Sequence, residues 1–67
     1  MTIHEALALH PGARLQMTPY GSYIWKPRKG QSTVGTFRRM HDGMLIIHRD
    51  GNKRSWSWLP VYWEKVP

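Results

Sequence analysis

Apolar residues recur on two different periods along this chain, and the change of period divides it. Ile3, Ala6, Leu7 and His10 recur at spacings of three and four, which puts one side of a helix against a core. Thr2-Ile3-His4-Glu5 at their head reads as a capping box, in which the Thr2 hydroxyl accepts from the Glu5 N–H and Glu5 reaches back to Thr2. Pro11-Gly12 ends the segment, because proline disfavours helix in His10 and glycine lets the chain reverse. The expectation is a helix over about residues 3–10. At about 12 Å it is too short to hold alone, so it must lie on a sheet.

The rest of the pattern is that of strands. Asp42-Gly43 and Asp50-Gly51 are tight-turn dipeptides, and Met44 to Arg49 between them is β-rich and predicted to be an internal strand. Thr33 to Met40 is predicted as the strand before it, with Gly35 a candidate bulge. In Lys53 to Leu59 the residues alternate, so Arg54, Trp56 and Trp58 are expected on one face and Lys53, Ser55 and Ser57 on the other. Two further strands, Ala13 to Thr18 and Ser22 to Lys26, are predicted around a Pro19-Tyr20-Gly21 turn, and Val61 to Val66 as an edge strand or short turn after Pro60. Together these give a single α+β domain over residues 1–67. A short helix packs on a small, strongly curved antiparallel sheet or barrel of about five strands, spanning about residues 13–66.

Length limits what such a domain can do. A chain of 67 residues has no room for a second domain or for a large enzyme fold of about 200 residues or more. Its core is small, and with no Cys it has neither disulfides nor thiolate metal sites to reinforce it. Aromatic residues, 12 % of the chain, take over that role, since each buries about 150–250 Å². No Ser, His and carboxylate arrangement suggests covalent catalysis, and His4, His10, His41 and His48 lack a recognised metal-ligand spacing. The chain is therefore read as non-enzymatic, without cofactor or metal. The longest strictly apolar run, Met44 to Ile47, falls far short of the roughly 20 residues of a bilayer span. No membrane association and a cytoplasmic location are expected.

Charge changes the picture further. The whole net charge of +6 sits in residues 26 to 54, where eight Lys and Arg face only Asp42 and Asp50. An anionic partner follows. Aromatic and basic residues are interleaved in the same stretch: Trp25 before Lys26 and Arg28, Phe37 before Arg38 and Arg39, Arg54 before Trp56 and Trp58. Guanidinium forks grip phosphate in bidentate fashion and flat rings stack on bases. Arg38, Arg39, Arg49 and Arg54 are the candidate phosphate ligands, and Tyr20, Trp25, Trp56 and Trp58 the candidate stacking surfaces.

Two segments resemble a known family. Thr2-Ile3-His4-Glu5-Ala6-Leu7, followed by Gly12-Ala13-Arg14-Leu15, is similar to the opening of the phage Thoeris anti-defence sponge family, a short helix with an E-A-L-like motif, then a glycine and a first strand. Asp50-Gly51, Trp56 and Tyr62-Trp63-Glu64-Lys65-Val66 resemble its ending, a D-G turn, a Trp and an aromatic D-W-E-x-V-like close. Gln16-Met17-Thr18-Pro19-Tyr20 stands where that family has a basic residue and a Trp. The resemblance implies a compact α+β homo-oligomer that captures a nucleotide-derived immune signal in pockets near subunit interfaces, without catalysis.

The functional expectation is a small binding protein that sequesters an anionic nucleotide-derived ligand. The alternatives are a nucleic-acid-binding module with an SH3-like or OB-like sheet, or an inhibitor that binds a host protein through its Trp-rich strand.

Overall fold

Thr2 opens the first helix as its sequence dictates. In the computed structural model, which describes residues 1–67, α1 spans Ile3–Leu7. The Thr2 hydroxyl accepts from the Glu5 N–H at 3.2 Å, and the Glu5 carboxylate accepts from the Thr2 N–H at 3.0 Å. These bonds hold the Glu5 carboxyl below its ordinary range. The helix does not run on to His10. The Ala8 N–H donates to Glu5 O and the Leu9 N–H to Ala6 O, three-residue steps that tighten the last turn. That tightening swings Leu9 inward beside Ala6, whereas Ile3, Leu7 and His10, expected on the core side, stay exposed.

Five strands follow, with a second helix inserted after the first. They are β1 (Arg14–Met17), α2 (Pro19–Trp25), β2 (Val34–His41), β3 (Met44–Arg49), β4 (Trp56–Trp58), a 3₁₀ turn (Pro60–Tyr62) and β5 (Trp63–Lys65). The sheet order is β4-β3-β2-β1-β5, and every neighbouring pair is antiparallel. β4 and β5 are the two edges, so the sheet is open rather than a closed barrel. β2 and β3 are joined by Asp42 and Gly43, both at positive φ (50° and 74°), the two-residue hairpin geometry that Asp-Gly favours. The Asp50 carboxylate at the next turn takes both terminal nitrogens of Arg14, which lowers its pKa and raises that of the guanidinium.

The segment Ser22 to Lys26 is helix, not strand, and Pro19-Tyr20-Gly21 is its first turn rather than a reversal. Thr18 caps it, accepting from the Gly21 N–H at 2.9 Å, and Pro19 fills the first helical position, where no amide hydrogen is missed. The β-favouring Tyr23, Ile24 and Trp25 are overridden by packing: Gly21 lies so close to the Tyr62 backbone that no side chain fits between α2 and the 3₁₀ turn. Lys26 ends the helix in the left-handed region, φ 45°, with its N–H on Ser22 O at 2.9 Å.

The sheet alternates as its period requires. Leu15, Met17, Phe37, Leu45, Ile47, Trp58 and Trp63 point to one face and, with Ala6 and Leu9, form the core. The expected bulge lies not at Gly35 but between Phe37 and Arg39, where the register slips by one residue. Gly35 pairs regularly with Leu15 and Arg49 and is glycine because the adjacent strand is too close for a Cβ. The closing segment is shorter than Val61 to Val66, since β5 begins only after the 3₁₀ turn and pairs Trp63 with Met17.

Candidate anion-binding cleft

The inward row of β3 runs Leu45, Ile47, Arg49, so the third place on a core-facing row is taken by a cation. Arg49 is only 8 % exposed. Its Nε donates to the Ser32 carbonyl oxygen at 2.9 Å, and Nη2 donates to the same oxygen. Its guanidinium carbon stands 5.7 Å from the centre of the Trp58 ring, within cation–π range. No carboxylate answers it: the acid–base contacts of the protein are Arg14 with Asp50 and His41 with Asp42. Burial alone acts on its charge and lowers its pKa from the ordinary arginine value. A cation drawn partly out of water without a counter-ion is disfavoured, and such groups concentrate at binding sites.

A cleft of about 300 Å³ opens beside this guanidinium. It is lined by Trp56, Ser57 and Trp58 of β4, by Trp25 at the end of α2, by Gln31, and by Asn52 in the β3–β4 connection. Trp56 and Trp58 sit opposite Ile47 and Leu45, which places both indoles on the core-facing side of the sheet. Trp58 is buried, but Trp56, at the exposed start of the edge strand, is 56 % accessible. Trp25 at the end of α2 is 53 % accessible and meets Trp58 edge-on, 5.1 Å between ring centres. The rings continue outward: Trp25 packs edge-on against Tyr62 at 5.8 Å, and Tyr62 stacks with Tyr20 at 5.7 Å. Two accessible indoles, a buried uncompensated guanidinium and the amides of Gln31 and Asn52 thus share one concavity. Such a set can stack on a flat ring and hydrogen-bond an anion.

Of the eight residues predicted from sequence, Trp25, Arg49, Trp56 and Trp58 line the cleft. Arg38 and Arg39 do not. Arg38 is the extra residue of the β2 bulge and Arg39 follows it, and the slip leaves both successive side chains exposed. Arg54 is exposed in the connection before β4, off the strand, and so does not share a strand face with Trp56 and Trp58. Tyr20 is one ring removed, behind Tyr62. Gln31, Asn52 and Ser57 escaped the sequence reading. Gln31 belongs to the one loop marked out by Pro, Gly and clustered cations, and Asn52 directly follows the Asp50-Gly51 turn, but neither carries a chemical signal of its own. No three His, Asp or Glu side chains converge in the protein, and no helix is long and apolar enough to cross a membrane.

Comparison with protein-family models, with curated proteins and with solved structures finds no match in any of the three.

Proposed function

We propose that this protein is a non-catalytic binding protein for a small anionic, base-containing ligand, a nucleotide or a molecule derived from one, held in the cleft around Arg49. One observation carries the reading: Arg49 is buried on the core-facing row of β3 with no carboxylate partner, beside open indole surface. A phosphoryl group supplies the missing counter-charge, and Trp25 and Trp56 supply the faces between which a base stacks. Catalysis has little support, since no Asp, Glu or His lines the cleft to serve as general acid or base. Sequestration of a nucleotide-derived immune signal, as the sponge-family resemblance implies, is the biological form of this reading, with the cytoplasm as its setting.

The test is a thermal-shift and calorimetric panel with nucleotides and short oligonucleotides side by side, at two salt concentrations. A binder of small nucleotides gains melting temperature with mononucleotide-sized ligands in a base-dependent way. Oligonucleotide binding with a log–log salt slope near −0.9 per neutralised phosphate on duplex, and no response to nucleotides, moves the function to nucleic-acid binding. Light scattering on the same samples measures the self-association that the resemblance implies.

A further inference from the structure

We infer that the cleft selects a ligand carrying a single phosphoryl group, gripped end-on by the free edge of Arg49, with the carboxamide of Gln31 as a second donor. This selectivity rests on the nucleotide-binding reading above and makes it more specific.

The charge complement is the first reason. Arg49 is the only ionised side chain among the residues lining the cleft. A second phosphoryl group drawn into the same space finds no cation, and an unpaired charge taken out of water is strongly disfavoured. The cations that would serve a polyphosphate, Arg38, Arg39 and Arg54, are exposed and outside the cleft.

Donor geometry is the second. A guanidinium presents five N–H donors in a fixed fork. Ser32 occupies the Nε–Nη2 edge, which leaves the Nη1–Nη2 edge without a protein acceptor. That edge matches two oxygens of one phosphoryl group. Gln31 directly precedes Ser32, and its orientation is fixed: the Arg28 N–H donates to Gln31 Oε1 at 2.7 Å. Only the oxygen of a carboxamide accepts, so the end of Gln31 left free is its NH₂, a donor. Cation and amide together make a donor-only set suited to an oxygen-rich group.

Size is the third. At about 300 Å³ the cleft lies at the lower bound of ligand pockets, which run from about 300 to 1,000 Å³. That volume matches a ring and one phosphoryl group, in a cleft whose outer side opens to solvent beside Trp25 and Trp56.

Isothermal calorimetry of the full chain at fixed low salt tests this. The probes are the 5′-mono-, di- and triphosphates of the four common ribonucleosides and their 3′,5′-cyclic monophosphates. For the preferred base, the monophosphate or cyclic monophosphate is expected to bind at least as tightly as the triphosphate, to within about threefold. Gln31→Glu keeps an acceptor for the Arg28 N–H but replaces the NH₂ with a carboxylate. It is expected to weaken binding by about tenfold or more with the melting temperature unchanged. A triphosphate that binds more than about threefold tighter than the monophosphate overturns single-phosphoryl selection while leaving nucleotide binding in place. Parent-like binding by Gln31→Glu removes Gln31 from the site. If no probe binds the parent chain, the nucleotide reading itself falls and this selectivity with it.

Discussion

Replacing Gly35 by alanine measures how far the cleft depends on the sheet beneath it. Gly35 lies in β2 between Leu15 and Arg49. A Cβ there stands 2.8 Å from Ile47 Cγ2, 2.9 Å from the His48 carbonyl oxygen and 3.0 Å from Arg49 Cα. Two of those three are backbone atoms, so relief requires β3 itself to shift. Gly35 does not have a positive φ, so the penalty is crowding rather than backbone strain. Overpacking of this kind costs about 1–3 kcal/mol. The total stability of a 67-residue chain is about 3–10 kcal/mol, from roughly 0.05–0.15 kcal/mol per residue. At about 4–8 °C per kcal/mol for a domain this small, the melting temperature falls by roughly 4–24 °C. Arg49 Cα is among the crowded atoms, so the guanidinium is displaced from Ser32 and nucleotide affinity falls as well. Differential scanning fluorimetry and calorimetric titration read the two effects. Adding Ile47→Ala does not rescue the variant, because the two backbone contacts persist and the lost core volume costs a further 2–5 kcal/mol or about that. A Gly35→Ala protein that melts within about 2 °C of the parent and binds equally well refutes the reasoning.

Other expectations follow from the same contacts. Thr18→Ala removes the cap of α2 and costs about 1 kcal/mol by urea denaturation; it also weakens nucleotide binding because α2 carries Trp25, and Thr18→Ser restores both. The Asp50 carboxyl is held below its ordinary pKa by Arg14, so its contribution to stability is complete above the unfolded value of about 3.9 and is lost as pH falls through the lower folded value. Melting temperatures measured between about pH 7 and pH 2 therefore fall less steeply on the acid side for Asp50→Asn than for the parent, and the difference shrinks in salt because both partners are half exposed. Arg38→Glu with Arg39→Glu leaves the fold within about 0.5 kcal/mol of the parent and changes mononucleotide affinity only slightly, whereas a large loss measured by calorimetry moves the site to the β2 bulge.

What could be read from the chain was what local chemistry decides. Asp42-Gly43 and Asp50-Gly51 announce their turns, the β-rich run between them sets the strand, and Thr2 with Glu5 writes its own cap. The α2 helix could not be read this way. Tyr23, Ile24 and Trp25 favour strand locally, and what holds them helical is a cap on Thr18 together with the fit of Gly21 against Tyr62, forty-one residues further on. The site divides along the same line. The types of residue were legible, aromatic rings interleaved with arginines, and so were four of the cleft's members. Which arginine turns inward depends on counting alternate places along β3, and that count puts Arg49 inside while the bulge puts Arg38 and Arg39 outside.

The slip between Phe37 and Arg39 also makes one position of the chain dispensable. Phe37 faces Ile47 and Arg39 faces Ile46, so the two neighbours of Arg38 already meet consecutive partners and Arg38 itself meets none. With that residue excised, Phe37 and Arg39 become neighbours facing Ile47 and Ile46, which is the spacing of an unbroken antiparallel ladder. Removing a residue of β2 outside the Arg38-Arg39 pair instead flips the parity of what lies beyond it. The strand carries a spare stitch, and natural or engineered changes in its length have this one place to occur without unpicking the core.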